Sequence, residues 1–219
     1  MNRMPRIQDF DMSLYLVTDP HLSEGRSLLS IVQAAIKGGA GVVQYRDKNS
    51  GTRKMVERAK ALCQVCHQSG ACFLVNDRVD VALAVDADGV HVGQDDMPIN
   101  IARALLGPDK LIGITVHNAE EIKAAEEEGV DYLSLAPVFA TSTKPDHQTP
   151  LGPEGVRILT AKSSMPFLAI GGINHSNAAV VVRAGVEGIC VVSAVLSAED
   201  PEPAARELYN LVRATKSGK

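Results

Sequence analysis

The feature that most constrains this chain is alternation. Short β-branched runs of about six residues are each followed by a longer stretch with helical spacing and glycine punctuation. The cycle repeats eight times. Strands are expected at 14–18, 42–46, 72–76, 89–92, 111–116, 132–137, 167–171 and 188–193. Helical patterns fall between them, at 28–37, 53–68, 99–106, 119–128, 153–161, 177–184 and 203–214. Local signals agree: Asn118 stands at an N-cap position with Glu121 three residues on, and Gly129 stands where the same helix must stop. Strands this apolar cannot expose one face to water, so parallel strands covered by helices are implied. The expected fold is α/β, a single (β/α)8 TIM barrel. An open doubly wound sheet would leave edge strands, and no G-x-G-x-x-G turn follows the first strand.

Composition narrows the function classes. Of the 219 residues 45% are hydrophobic and 22% charged, and Trp is absent, which describes a globular protein with an aliphatic core. Residues 1–219 are expected to form one domain, with about 1–12 as an N-terminal extension. A formal net charge of −4 supplies no basic field for a phosphate backbone, so nucleic acid is not an expected partner. The apolar runs are far shorter than the roughly 20 residues a membrane span needs, and MNRMPRIQDFDM has no secretory core, so a cytoplasmic protein is expected. Cys63, Cys66 and His67 spell a C-x-x-C-H signal for haem attachment, but they lie inside the helical pattern at 53–68. Cys72 and Cys190, in strand-like runs, read as small core hydrophobes.

In a barrel, chemistry collects where the strands end. After the second strand, Gln44, Arg46 and Lys48 alternate and face one side, joining two cations and an amide in a set suited to a diphosphate. The alternative is a solvated strand end with surface ion pairs. After the third and fourth strands come Asn76, Asp77, Asp95 and Asp96. Carboxylates on strands about 5 Å apart can share Mg²⁺, which takes one or two carboxylates plus waters and phosphate oxygens. Alternatively, Asp77 and Asp96 cap the helices that follow. After the sixth strand, FATSTKPDHQTP at 139–150 reads as a binding loop or lid, in which His147 is given no role. Gly171-Gly172 and Ser193 follow the last two strands, where these barrels often bind phosphate, although a lone Gly-Gly can equally be a turn.

These motifs together resemble the thiamin-phosphate synthase family: YLVTD at 15–19, VQYRDK at 43–48, ND at 76–77, ADGVHVGQDD at 87–96, APVFATSTK at 136–144, GGI at 171–173 and VVSA at 191–194. The resemblance covers nearly the whole chain in one order. It implies a (β/α)8 barrel that joins the diphosphate of 4-amino-5-hydroxymethyl-2-methylpyrimidine to 4-methyl-5-hydroxyethylthiazole phosphate, or its carboxylated form. Gln44, Arg46, Lys48, Asn76, Thr115 and Lys144 become pyrimidine-diphosphate contacts, and Asp77 and Asp96 become ligands of Mg²⁺. Thr141, Thr143, Gly172, Val192 and Ser193 would hold the thiazole phosphate. Catalysis is expected to rest on Arg46, Lys48, Lys144 and Thr115. Departures are mild: Thr115 stands for Ser, Asp95 for Glu and Val192 for Ile of many relatives. Two rivals are a thiazole tautomerase-type paralogue, which would not need the diphosphate apparatus, and a precursor-binding regulatory barrel. A sugar-phosphate isomerase is a weaker one, lacking an evident acid-base pair. The partners implied are small molecules, with a homo-oligomer left open.

Overall fold

The computed structural model describes residues 6–23, 25–141 and 149–218. Among them, eight parallel strands close into a barrel. The strands are β1 (Leu14–Val17), β2 (Val42–Tyr45), β3 (Cys72–Asn76), β4 (Gly89–Val92), β5 (Leu111–Val116), β6 (Tyr132–Leu135), β7 (Phe167–Ile170) and β8 (Gly188–Val191). Each pairs with the next, and β8 returns to β1 through Leu14 opposite Ile189 and Leu16 opposite Val191. The helices are α1 (Leu28–Lys37), α2 (Thr52–Gln68), α3 (Val79–Val85), α4 (Ile99–Leu106), α5 (Ala119–Glu127), α6 (Gly152–Thr160), α7 (Ala178–Arg183), α8 (Ser193–Leu196) and α9 (Pro201–Ser217). No helix among the described residues is long and apolar enough to cross a membrane.

Strand parity divides the core in two. Residues facing out, such as Leu16, Val43, Phe73, Val90, Ile112, Leu133 and Ala169, pack with the helices in one large cluster. Their neighbours Tyr15, Val42, Leu74, Leu111, Tyr132, Leu168 and Cys190 fill the barrel interior. Burying both faces is what gives these strands continuous apolar runs. Ile7, 2% exposed, and Met12, 7% exposed, belong to the interior cluster, so the chain before β1 packs against the barrel's amino-terminal end.

Five expected strands run one or two residues too far, always at the carboxyl end: Thr18, Arg46, Pro137, Gly171 and Ser193 lie beyond the observed ladders. There the backbone leaves the sheet to form the mouth, and β propensity alone does not mark the departure. Helix α3 is not among the patterns picked out by spacing. Its sequence VDVALAV alternates like a strand, yet it forms a helix that buries Val79, Val81 and Ala82. On α5 the Asn118 cap forms, accepting from Glu121 N at 2.9 Å, while the Glu121 carboxylate takes the His117 N–H at 2.8 Å. Gly129 follows at φ +75°. Cys63 and Cys66 lie buried on α2, and burial pushes the Cys63 thiol up to about 11. They are packing residues of a helix, as its pattern implies.

Candidate active site

A cavity of about 460 Å³ opens at the carboxyl-terminal end of the barrel. The parity that sends Tyr15 and Tyr132 inward also sends Gln44, Asn76, His91, Thr115 and Ser134 inward one layer higher. Of the residues singled out from sequence, Gln44, Arg46, Lys48, Asn76, Asp77, Asp96, Thr115, Thr141, Gly172, Val192 and Ser193 all line this one cavity. Thr143 and Lys144 lie outside the described residues, as does His147.

The β2 end is built around two acidic supports that the sequence reading missed. Thr18 fixes the backbone at Arg46, with Arg46 N donating to its hydroxyl at 3.0 Å and that hydroxyl facing Arg46 O at 3.2 Å. The guanidinium meets Asp19 at 3.4 Å. Asp47 points away from the cavity and is 7% exposed. Its carboxylate accepts from Asn49 N at 3.1 Å, Ser50 N at 3.0 Å, Tyr45 Oη at 3.0 Å and Arg58 Nη1 at 2.9 Å. Burial works to raise this carboxyl, yet the backbone N–H groups of Ser50 and Asn49 bring it down to about 2. Arg46 and Lys48 therefore flank a rigid turn. Gln44 is 5% exposed and the Arg46 side chain 19%, and only Lys48, at 51%, fits the solvated strand end that the sequence allowed.

On β3 and β4 the two carboxylates meet. Asp77 adopts φ +57°, a conformation that non-glycine residues visit rarely and that tends to mark functional sites. It receives hydrogen bonds from Asn76 Nδ2 and Lys48 Nζ. Burial pushes the Asp77 carboxyl up, Lys48 pulls it down, and the adjoining Asp96 raises it again. Asp96 accepts from Gly93 N at 2.8 Å. Helices α3 and α4 start after Arg78 and Pro98, with no side-chain cap at either residue, so the pair does not serve as helix caps. Two carboxylates crowded at the wall of an open cavity fit a hard divalent cation that completes its shell with water and phosphate oxygens. Among the described residues no group of three or more His, Cys, Asp or Glu forms a zinc-like cluster.

Among the described residues the opposite wall is neutral. Gly171 and Gly172 have φ +109° and +63°, and a Cβ on Gly172 would lie 2.6 Å from Ala140 O. Only glycine lets this turn pass beneath the residues after β6. Asn177 Nδ2 holds Gly172 O at 2.9 Å, and Val192 and Ser193 complete the wall. The glycine pair is a turn, as one sequence alternative had it, and it also lines the cavity.

Beneath the charged groups runs a buried polar chain. Gln44 Nε2 donates to Tyr15 Oη at 2.7 Å, Tyr15 Oη meets Tyr132 Oη at 3.0 Å, Tyr132 Oη meets His91 Nδ1 at 2.9 Å, and His91 Nε2 meets Thr115 Oγ1 at 2.9 Å. Sequence reasoning missed Tyr15, Tyr132 and His91. Aromatic residues within strands commonly serve as core, and it takes the β4–β5–β6 register to bring His91 to Tyr132 and the closure of the barrel to bring Tyr132 to Tyr15. The available signal was parity within β1, β4 and β6, where Tyr15, His91 and Tyr132 each stand two residues before Val17, Gly93 and Ser134, which line the cavity.

A closed (β/α)8 barrel with one polar cavity at its strand ends defines the class: a barrel enzyme whose site is assembled from every strand. The family described as thiamine monophosphate synthase matches residues 14–195. The thiamine-phosphate synthase of Chloroflexus aurantiacus is 54% identical, over 94% of this chain and 95% of its own. That of Laribacter hongkongensis is 50% identical, over 92% and 95%. The solved thiamine phosphate pyrophosphorylase of Pyrococcus furiosus superposes with a TM-score of 0.86 at 43% identity, over 94% of this chain and 97% of that one. This chain belongs to the thiamine-phosphate synthase family.

Proposed function

We propose that this cavity condenses 4-amino-5-hydroxymethyl-2-methylpyrimidine diphosphate with 4-methyl-5-hydroxyethylthiazole phosphate, or its carboxylated form, to give thiamin phosphate and diphosphate, with the carboxyl group of the carboxylated form departing as CO2. One observation carries the reading: cations and a carboxylate pair occupy one wall of a single cavity, and a neutral glycine wall faces them. Gln44, Arg46, Lys48, Asn76 and Thr115 take the pyrimidine diphosphate, joined by Lys144 from the loop after β6. Thr141, Thr143, Gly172, Val192 and Ser193 take the thiazole phosphate.

The chemistry asks for charge stabilisation and positioning. The methylene C–O bond breaks, its electron pair leaves with diphosphate, and the cation left behind is delocalised into the aminopyrimidine ring. The thiazole nitrogen lone pair then forms the new C–N bond. Asp77 and Asp96 would hold Mg²⁺, which when bound neutralises charge developing on the leaving diphosphate. Arg46 and Lys48 stabilise that charge more in the transition state than in the ester, because it grows as the bond breaks. The turn built on Asp47 keeps both cations in place beforehand. Residues 1–219 read as one domain, supported by the pairing of β1 with β8. Phosphorylated substrates that do not cross membranes support a cytoplasmic setting.

The test mixes purified protein, Mg²⁺ and both precursors, and assays thiamin phosphate and released diphosphate with an EDTA control. Product in equal amounts with diphosphate, abolished by EDTA, is expected. Binding of the precursors without release would replace the reading with a regulatory barrel.

A further inference from the structure

The chain beneath the cavity has a direction. Tyr15 and Tyr132 are 1% and 0% exposed, and burial pushes both phenols well up, so each keeps its single hydrogen. A neutral imidazole also has one ring hydrogen. The Tyr15–Tyr132 and Tyr132–His91 contacts could each run either way alone, but with Gln44 Nε2 donating to Tyr15, pairing every buried hydrogen sends the Tyr15 hydrogen to Tyr132 and the Tyr132 hydrogen to His91 Nδ1. His91 must then carry its hydrogen on Nε2 and donate to Thr115 Oγ1. One hydrogen remains, that of Thr115, and it is left for the cavity. At the other end the Gln44 amide keeps Oε1 as its acceptor. Turning that amide over would reverse every link, leaving Thr115 an acceptor and Gln44 a donor. The ends of the chain cannot change independently.

The arrangement is built for. Gly113 on β5 stands between His91 and Tyr132 in register, and a Cβ there would lie 2.1 Å from Tyr132 Cζ. Glycine gives the Tyr132 ring room to cross the interior, where it lies 5.5 Å from the His91 ring and 6.3 Å from the Tyr15 ring. Such a network in a low-dielectric interior is costly when incomplete and specifying when satisfied.

We propose that Tyr15, Tyr132 and His91 are positioning residues that fix Thr115 as a hydrogen-bond donor and Gln44 Oε1 as an acceptor toward the substrate. Gln44 and Thr115 then act as one unit, with the donor serving an acceptor atom of the pyrimidine diphosphate. This substrate assignment rests on the proposed function; the order of the hydrogens does not.

Two measurements test it. First, ¹⁵N-histidine spectra of the ligand-free protein, with His91 assigned by loss of its signals in His91→Asn, should show His91 as the Nε2–H tautomer. The Nδ1–H tautomer or an imidazolium at neutral pH would overturn the proposal. Second, the effects of Gln44→Ala and Thr115→Val on kcat/KM for the pyrimidine diphosphate should depart from additivity by about tenfold. That coupling should vanish when Tyr132→Phe cuts the chain, or Tyr15→Phe if the first variant folds poorly, and Thr115→Ser in the otherwise native chain, which keeps the hydroxyl, should retain the kcat/KM that Thr115→Val loses. Additive effects in the otherwise native protein would also overturn the proposal. An Nε2–H tautomer without synthase turnover would refute the activity and leave the hydrogen order standing. Turnover with the Nδ1–H tautomer would do the reverse.

Discussion

The two walls of the cavity are built by opposite means. On the β2–β4 side the groups are side chains: Arg46, Lys48, Asp77 and Asp96, each placed by a partner such as Asp19, Asn76 or Gly93. On the β7–β8 side no Lys, Arg, Asp or Glu lines the cavity among the described residues, and the backbone at Gly171, Gly172 and Val192 forms the wall. A side-chain site can be tuned one charge at a time and depends on what holds those charges. A backbone site depends on chain path, so its weak point is any substitution that moves the turn.

The contrast predicts different kinds of damage. The largest effect should come from Asp77→Ala or Asp96→Ala, each lowering kcat by at least ~10²-fold through loss of leaving-group stabilisation. Turnover measured against Mg²⁺ concentration checks it, and near-normal turnover at limiting Mg²⁺ would remove these carboxylates from the metal site. Next, Asp47→Asn should cost about 2 kcal/mol of stability at pH 7, because a carboxyl held at about 2 stabilises the fold above its unfolded value near 3.9. That contribution is lost as pH falls from about 4 toward 2, so the difference in Tm between native and variant should shrink over this window. A pH-independent difference would mean that Asp47 acts by packing alone. The smallest effect should be Gly172→Ala, which strains a turn at φ +63° and crowds Ala140 O. It should raise KM for the thiazole phosphate about tenfold and leave KM for the pyrimidine diphosphate within about twofold, as strain of roughly 1–3 kcal/mol allows. Equal changes in both constants would mean that the two walls do not work separately.

Much of this was readable in the sequence because a parallel barrel converts position along a strand into position in space. Gln44, Arg46 and Asp77 could be aimed at one mouth from strand alternation and the strand-end rule, whereas Thr115 entered only through the family resemblance. What escaped depended on relations between strands. Asp47 looked like part of a solvated end, and only the turn through Asn49 and Ser50 makes it a buried anchor. Tyr15, Tyr132 and His91 were not singled out because their partners are 117 and 41 residues apart in sequence. The strand ends were overextended since leaving the ladder costs no β propensity, and α3 was hidden by an alternating heptapeptide.

The packed barrel floor has a consequence for traffic. With Leu74, Leu111, Leu168 and Ile7 filling the interior below the Tyr15–Tyr132 pair, the chamber is closed at its floor among the described residues. A guest seated against Gln44 and Thr115 would be covered by whatever arrives after it, so depth predicts a queue, innermost reactant first, that product-inhibition kinetics would reveal.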